Sequence, residues 1–121
     1  MPPTVLVVDD DAGFRRVARW LLTARGLVVV ADVGSGAAAL DAVHRLRPDG
    51  VLLDVNLPDR DGLSVTRALA GRSDTPWIVL TSTDAIDLPP ATLAECGARA
   101  FVAKDRLVQA DLLRLFSPAE G

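Results

Sequence analysis

Residues 5–11 read VLVVDDD, in which four apolar residues are followed directly by three aspartates. The apolar run is typical of a buried β-strand, and the aspartates then stand where that strand ends. Adjacent carboxylates repel one another at neutral pH, so a folded chain keeps them together only where something offsets their charge. This stretch therefore predicts a buried strand with a charged site at its carboxyl end.

Similar apolar runs recur along the chain and alternate with segments of helical spacing. Most of these runs are apolar at every position, as expected for parallel strands that helices cover on both faces. We expect five strands, at residues 4–8, 27–31, 50–54, 77–81 and 99–103.

The intervening segments carry the apolar periodicity or the end signals of α-helices. The fourth helix is expected to be short, since Pro89 and Pro90 fit only at a helix start. The middle three helices are expected at residues 37–46, 63–70 and about 90–96. The first helix, ending before Gly26, is expected to bury Phe14, Val17, Ala18, Leu21 and Leu22. The last helix is expected to bury Val108, Leu112, Leu115 and Phe116.

Five strands that alternate with five helices predict an α/β fold with a doubly wound parallel sheet. A chain of 121 residues suits one domain, which we assign to residues 1–116, with a short C-terminal tail at 117–121. In such a sheet, ligands bind beyond the carboxyl ends of the strands, where the strand order reverses.

Composition excludes several classes of function. A formal net charge of −3 leaves no basic face for direct contact with a nucleic acid. No apolar run approaches the roughly 18 residues that cross a bilayer, so we expect no membrane segment. The first residues, MPPTVLVV, lack the charged start and long apolar region of a signal peptide, and a single cysteine forms no internal disulfide. We expect a cytoplasmic protein.

Five polar residues fall at the predicted strand ends. Asp9 and Asp10 follow the first strand, Asp54 ends the third, Thr81 ends the fourth and Lys104 follows the fifth. The carboxylates suit a divalent cation that prefers hard oxygen ligands, namely Mg²⁺ or Mn²⁺. An ammonium and a hydroxyl suit the oxygens of a phosphoryl group, and an aspartate can itself become an acyl phosphate. The sequence therefore predicts a metal-assisted phosphoryl site.

Four motifs, VVDDD, LLDVNLPDRDG, LTS and FVAK, occur in this order. With their spacing, they resemble the receiver domain of response regulators in two-component signalling, the chemotaxis regulators among them. The resemblance covers nearly the whole chain. It implies a flavodoxin-like (βα)5 fold whose five parallel strands have the order 2-1-3-4-5, with helices on both faces.

The resemblance also implies a role for each site residue. Asp54 is expected to be the phosphoacceptor, and Asp9 and Asp10 the acidic pair that holds the metal ion. The backbone carbonyl of Asn56 is expected to be a further metal ligand. Phosphoryl binding and switching are expected of Thr81, Lys104 and Phe101, and tuning of phosphoryl access and lifetime of Asn56, Ser82 and Thr83.

Partners and activity follow from the same resemblance. The expected phosphodonor is a sensor histidine kinase or a histidine phosphotransfer protein. The expected output is a changed affinity for an effector domain or another protein, through the face of the fourth helix, fifth strand and fifth helix. The chain is expected to assist its own phosphorylation and dephosphorylation without being an enzyme in the ordinary sense.

The sequence departs from the family at two places. Receiver domains usually carry proline after the lysine, often through a cis bond, and Asp105 stands there instead. Because cis bonds are rare before other residues, we expect a trans peptide between Lys104 and Asp105. The second departure is the pair Pro89 and Pro90, which shortens or displaces the fourth helix on the expected output face.

Two other functions remain open from the residues. In a haloacid dehalogenase-like phosphatase, Asp9 would be the nucleophile and Asp11 the acid/base. Such an enzyme also needs an acidic pair after the lysine to hold Mg²⁺, and here only the separated Asp105 and Asp111 follow Lys104. A pseudo-receiver would keep the fold and bind partners without responding to phosphate.

Asp11 is expected to cap the first helix. Trp20 lies outside the apolar stripe, either as a partner contact or packed over neighbouring side chains.

Overall fold

The five strands form one parallel sheet in the order β2-β1-β3-β4-β5, as predicted. The structure, a computed structural model, describes residues 2–71, 75–83 and 88–118. The strands span Thr4–Val8 (β1), Val28–Val33 (β2), Gly50–Asp54 (β3), Trp77–Ser82 (β4) and Ala100–Ala103 (β5). The tail predicted at 117–121 lies partly outside the described residues, and the domain boundary stays a prediction.

The helices lie between the strands and after the last of them. They span Ala12–Ala24 (α1), Gly36–Leu46 (α2), Gly62–Ala70 (α3), Pro90–Cys96 (α4) and Leu112–Leu115 (α5), with a 3₁₀ helix at Lys104–Gln109. The fourth helix is short and begins at the proline pair, as predicted. None of these helices, within the described ranges, is long and apolar enough to cross a membrane.

Each face of the sheet buries its own core. Along β1, Leu6 and Val8 contribute to the core that α2, α3 and α4 cover. The intervening Val5 and Val7 contribute to the core that α1, α5 and the 3₁₀ helix cover. Alternate residues of a strand point to opposite faces, so a strand buried on both faces must be apolar throughout. The uninterrupted apolar run therefore has a structural reason.

The second strand begins one residue later than predicted, because Leu27 is part of the C-terminal cap that follows α1. Gly26 has a positive φ of 90°. The Leu27 amide donates to the Leu22 carbonyl, which closes the helix in a Schellman arrangement. The Leu27 side chain is buried in the α1 core, and pairing with β1 begins at Val28. The sequence alone does not show the boundary between the cap of α1 and the start of β2, because an apolar side chain at residue 27 suits both.

Two residues of the predicted buried stripes are exposed. Val17 is 58% exposed, because the buried arc of α1 is centred on Ala18, Leu21 and Leu22. Val108 is 64% exposed and lies in the 3₁₀ helix, which the extended Ala110 separates from α5. The predicted continuous last helix is therefore wrong.

Arg25 at the end of α1 explains how the 3₁₀ helix sits on the domain. Its guanidinium donates to the backbone carbonyls of Val108 and Ala110. The backbone of Val108 is thus tied to α1, while its side chain lies at the surface. Sequence periodicity carries no signal for a contact between a guanidinium and two carbonyls.

The loop after β3 is tied to the start of α2. The carboxylate of Asp59 accepts hydrogen bonds from the amides of Gly36, at 2.8 Å, and Ala37, at 2.9 Å. These two backbone bonds hold the pKa of Asp59 below its usual value of 3.8. Because the same loop includes Asn56, the contact also fixes one wall of the predicted phosphoryl site.

Gly50→Ala should lower the free energy of unfolding by about 1–3 kcal/mol, the usual penalty for overpacking. A Cβ at Gly50 would overlap the ring of Phe116, which is fully buried. Urea unfolding measures the change. Gly71→Ala is the matched control, since its φ is −77° and its nearest neighbour would be the Arg67 carbonyl at 4.0 Å. Equal destabilisation by both variants would contradict the packing argument.

Asp59→Ala should lower the free energy of unfolding at neutral pH. A pKa lowered by folding means that the stabilisation is fully present above the unfolded value and is lost as the pH falls through the folded value. The difference from wild type should therefore shrink in urea titrations below pH 4 or so. Asp41→Ala is the control, since exposed Asp41 forms an ion pair with exposed Arg45 four residues on, and removing such a surface pair should change little. A difference independent of pH would show that the Asp59 charge is not involved.

Candidate functional site

The polar residues predicted at the strand ends lie together at one edge of the sheet. Asp9 follows β1, Asp54 ends β3, and Thr81 lies directly beside Asp54 in the register of β3 with β4. Lys104 follows β5 and opens the 3₁₀ helix. The carboxyl ends of parallel strands share an edge, so the topology alone brings these residues together.

Three carboxylates in this group form a candidate metal centre. Asp9, Asp10 and Asp54 each offer an oxygen, and these atoms all lie within 4.8 Å of one another. Asp9 and Asp54 are buried, whereas Asp10 is exposed. Oxygen ligands with an open side fit Mg²⁺, which binds through a few carboxylates and keeps several waters. The donor set therefore fits the predicted metal ion.

Backbone amides fix the two buried carboxylates. The amide of Asp11 donates to Asp9 Oδ1 at 2.9 Å, and the amide of Asn56 donates to Asp54 Oδ1 at 3.0 Å. Each carboxylate is therefore held by the amide two residues further along the chain, which leaves its second oxygen for other partners. Asn56 also pairs across the loop with Asp61. Metal ligation by the Asn56 carbonyl stays a prediction.

Lys104 is the cation of the site. Its Nζ lies 2.6 Å from Asp9 Oδ2 and 3.5 Å from Asp54 Oδ2. Burial by itself lowers the pKa of Lys104, but the hydrogen bonds and charges of Asp9 and Asp54 outweigh it and raise that pKa above the usual value. The ammonium is therefore firmly charged at neutral pH, and it offsets part of the repulsion between the carboxylates.

Asp54 lies in an environment that disfavours its charge. Burial raises the pKa of Asp54 above the usual value; the amide of Asn56 acts against this, and the charge of Asp9 adds to it. The Lys104 ammonium favours the ionised form. A desolvated carboxylate beside a fixed cation is suited to nucleophilic attack, since its charge is poorly shielded by water.

Thr81 offers a hydroxyl beside Asp54. Its Oγ1 is buried, and within the described part of the chain it has no hydrogen-bond partner. A buried hydroxyl without a partner is unfavourable by about 1–3 kcal/mol, so a ligand oxygen there would relieve it. Ser82 is also buried, Thr83 is exposed, and half-buried Phe101 packs against the core under α4.

Two sequence expectations about the neighbourhood are confirmed. The peptide between Lys104 and Asp105 is trans, since the described chain has no cis peptide. The ammonium still reaches Asp54. Asp11 caps α1, with Oδ1 accepting from the amides of Gly13 at 2.9 Å and Phe14 at 3.3 Å. The Asp11 carboxylate thus accepts hydrogen bonds from the first amides of α1, whereas the phosphatase alternative requires it to act as an acid/base.

Arg15 is a functional neighbour that sequence reasoning missed. Its Nη1 donates to the backbone carbonyl of Asp9 at 2.6 Å, and its Nε pairs with Asp32 at 2.9 Å. Arg19 also pairs with Asp32, and together they lower the pKa of that carboxyl, with Arg19 the larger influence. The available signal was the spacing of two arginines one helical turn apart. It did not reveal that one of them reaches the backbone of the acidic pair.

Phe14 is the second neighbour that was missed. It was expected to be a core residue only, and it does pack against the core under α1. Its ring also lies under the Lys104 ammonium, with Nζ 4.2 Å from the ring centroid. No periodicity indicates such a contact, because it joins the first turn of α1 to the end of β5.

Known proteins are similar to this chain in sequence and in fold. The chain is 43% identical over 89 residues to the DNA-binding response regulator MtrA of Mycobacterium tuberculosis, covering 73% of this chain and 39% of that protein. It is 38% identical over 108 residues to protein-glutamate methylesterase/protein-glutamine glutaminase 5 of Anaeromyxobacter dehalogenans, covering 88% of this chain and 30% of that protein. The chain thus spans less than half the length of either relative.

A solved structure supports the same assignment. The signal receiver domain of the putative response regulator NarL from Mycobacterium tuberculosis superimposes with a TM-score of 0.75 at 32% identity, covering 91% of this chain and 93% of that one. Residues 5–115 match the family model described as response regulator receiver domain. This chain therefore belongs to the response regulator receiver domain family of two-component signalling.

Proposed function

We propose that the chain is a phosphoryl-accepting switch in which Asp54 takes a phosphoryl group from a histidine kinase or a histidine phosphotransfer protein. The observation that carries the proposal is the surroundings of Asp54. A buried carboxylate lies 3.5 Å from a charged lysine and beside a threonine hydroxyl that has no hydrogen-bond partner among the described residues. The oxygen cluster suited to a divalent cation includes the same residue.

In the proposed reaction, a carboxylate oxygen of Asp54 attacks the phosphorus of a phosphohistidine. The new O–P bond forms as the P–N bond breaks, and the imidazole leaves with the electron pair and takes up a proton. Lys104 and Thr81 bind the phosphoryl oxygens, whose charge grows as the acyl phosphate forms. Mg²⁺ or Mn²⁺, held by Asp9, Asp10, Asp54 and the Asn56 carbonyl, would neutralise further charge there.

The proposed switch runs from β4 to β5. Thr81 pairs in register with Val102, and Phe101 is the adjacent residue of β5. Movement of Thr81 toward the phosphoryl group makes room beside Phe101, whose half-buried ring then changes its exposure. Ser82 and Thr83, which follow in the chain, tune how long the phosphoryl group survives. The affected surface is the α4/β5/α5 face, which is small here because α5 is a single turn.

The proposed partners are proteins. The net charge of −3 disfavours direct contact of this chain with nucleic acid, so a response at DNA requires an effector domain or a separate protein. A phosphodonor has to reach the edge of the sheet that carries Asp54. Exposed Val17, in the first half of α1, offers it an apolar contact, and exposed Trp20 lies further along the same helix. Signalling from histidine kinases places the proposed function in the cytoplasm.

Acetyl phosphate with Mg²⁺ should add one phosphoryl group to the wild-type protein and none to Asp54→Asn. The reason is that, among the residues that the structure describes, Asp54 combines a desolvated carboxylate with Lys104 and Thr81. Intact-mass spectrometry measures the added group. Asp41→Asn is the control, since Asp41 is exposed on α2 outside the cluster and this variant should be labelled. Labelling of Asp54→Asn with none of Asp9→Asn would instead favour the phosphatase alternative.

Mg²⁺ at about 100 times its dissociation constant should raise the free energy of unfolding by roughly 2.7 kcal/mol, because the folded cluster binds it and the unfolded chain does not. Asp10→Asn should lose most of this increase while being more stable than wild type without metal, since it relieves the repulsion. Thermal melting with and without Mg²⁺ measures both effects. Asp11→Asn, which keeps the helix cap, should retain the response. A wild-type melting temperature indifferent to Mg²⁺ would exclude the metal site.

A further inference from the structure

The Lys104 ammonium has two kinds of neighbour. Two are carboxylates, with Asp9 at 2.6 Å and Asp54 at 3.5 Å. The third is the face of the Phe14 ring, 4.2 Å from Nζ. The face of an aromatic ring attracts a cation through its quadrupole, most strongly where water is excluded. The Lys104 side chain is only 15% exposed, so the ring acts on a largely desolvated charge.

The carboxylates and the ring differ in whether they still hold the Lys104 ammonium when a divalent cation binds. The oxygen cluster suited to a divalent ion contains both carboxylates that hold Lys104. A second cation therefore competes with the ammonium for Asp9 and Asp54 and repels it. The ring carries no charge to share and is not a ligand for a hard cation. Phe14 is thus a neighbour of the ammonium that cation binding leaves in place.

The backbone around Lys104 does little to hold its side chain. Ala103 is extended, and the trans peptide leads into a 3₁₀ helix without a proline after the lysine. A lysine stem is long and flexible, so its head is located by whatever the head contacts. Within the described ranges, those contacts are the two carboxylates and the ring.

Phe14 itself is well fixed. Its amide donates to Asp11 Oδ1 at 3.3 Å in the cap of α1. Its side chain packs against the buried residues between α1 and the sheet. The ring is therefore held in the first turn of α1, at the edge of the sheet where the acidic pair begins.

We propose that Phe14 is a positioning residue that holds the Lys104 ammonium over the site when a divalent cation occupies the carboxylates. The ammonium then remains ready to receive the phosphoryl oxygens. Without the ring, the occupied site would let the lysine turn toward solvent, and phosphorylation would slow. The kinetic part rests on the proposed function, whereas the location of the ammonium can be measured by itself.

The direct test is the NMR shift of the Lys104 ε-methylene protons. A ring face shields protons above it. In the wild type these signals should therefore lie upfield of the ε-methylene signals of a solvent-exposed lysine, both without Mg²⁺ and at saturating Mg²⁺. Phe14→Leu keeps an apolar side chain in the core and should lose the shift in both states. Phe14→Trp should retain it. A wild-type shift that disappears on adding Mg²⁺ would overturn the proposal, because the ring would not be holding the ammonium in the occupied site.

The kinetic test uses acetyl phosphate, a small donor that needs no docking surface. With saturating Mg²⁺, Phe14→Leu should be phosphorylated about three- to fivefold more slowly than wild type, as expected from the usual strength of a cation–π contact. Phe14→Trp should restore most of the rate. Val29→Ala, in the same core but on β2, is the control for loss of packing and should keep the wild-type rate.

The outcomes separate the two proposals. An unchanged rate in Phe14→Leu, or an equal loss in Val29→Ala, would overturn the positioning role while the phosphoryl switch stands. A wild-type protein that gains no phosphoryl group would overturn the proposed function. In that case the NMR shifts with and without Mg²⁺ still decide whether the ring holds the ammonium.

Discussion

Repulsion among the carboxylates at one edge of the sheet is the constraint on which the rest of the site depends. Asp9 and Asp54 are buried, and each would be unfavourable there without a compensating charge. Lys104 supplies that charge from β5, at 2.6 Å from Asp9. The first and last strands of the chain are thereby joined through a single ion pair. The same pair leaves the cluster negative, which is the condition for attracting a divalent cation.

The fold serves this edge in a simple way. Parallel strands bring their carboxyl ends to one side, where Asp9, Asp54 and Thr81 are buried and Asp10 lies at the surface. Backbone amides then orient the buried carboxylates. Arg15 adds a tether from α1 to the carbonyl of Asp9, and Asp59 ties the loop after β3 to α2. The site is therefore held from several elements through Arg15 and Asp59, neither of which lies in the oxygen cluster.

The departures from the family pattern fall on the residue after Lys104 and on the proposed partner face. Asp105 removes the proline that usually follows the lysine, and the peptide is trans. Among the residues that the structure describes, the ammonium contacts two carboxylates and the uncharged ring of Phe14. The short α4 and the single turn of α5 reduce the helical area next to β5. The proposed partner face therefore offers fewer helical side chains than longer helices would.

The sequence by itself determined the order of strands and helices, the strand-end position of Asp9, Asp54, Thr81 and Lys104, and the short fourth helix. Periodicity and strand ends are local properties, and parallel topology converts them into one shared edge. Only the tertiary structure decided that Val17 and Val108 are exposed, that Leu27 closes a helix, and that Arg15 and Phe14 belong to the site. The reason is physical: helix rotation and contacts between distant elements depend on how whole surfaces pack, and no local pattern records them.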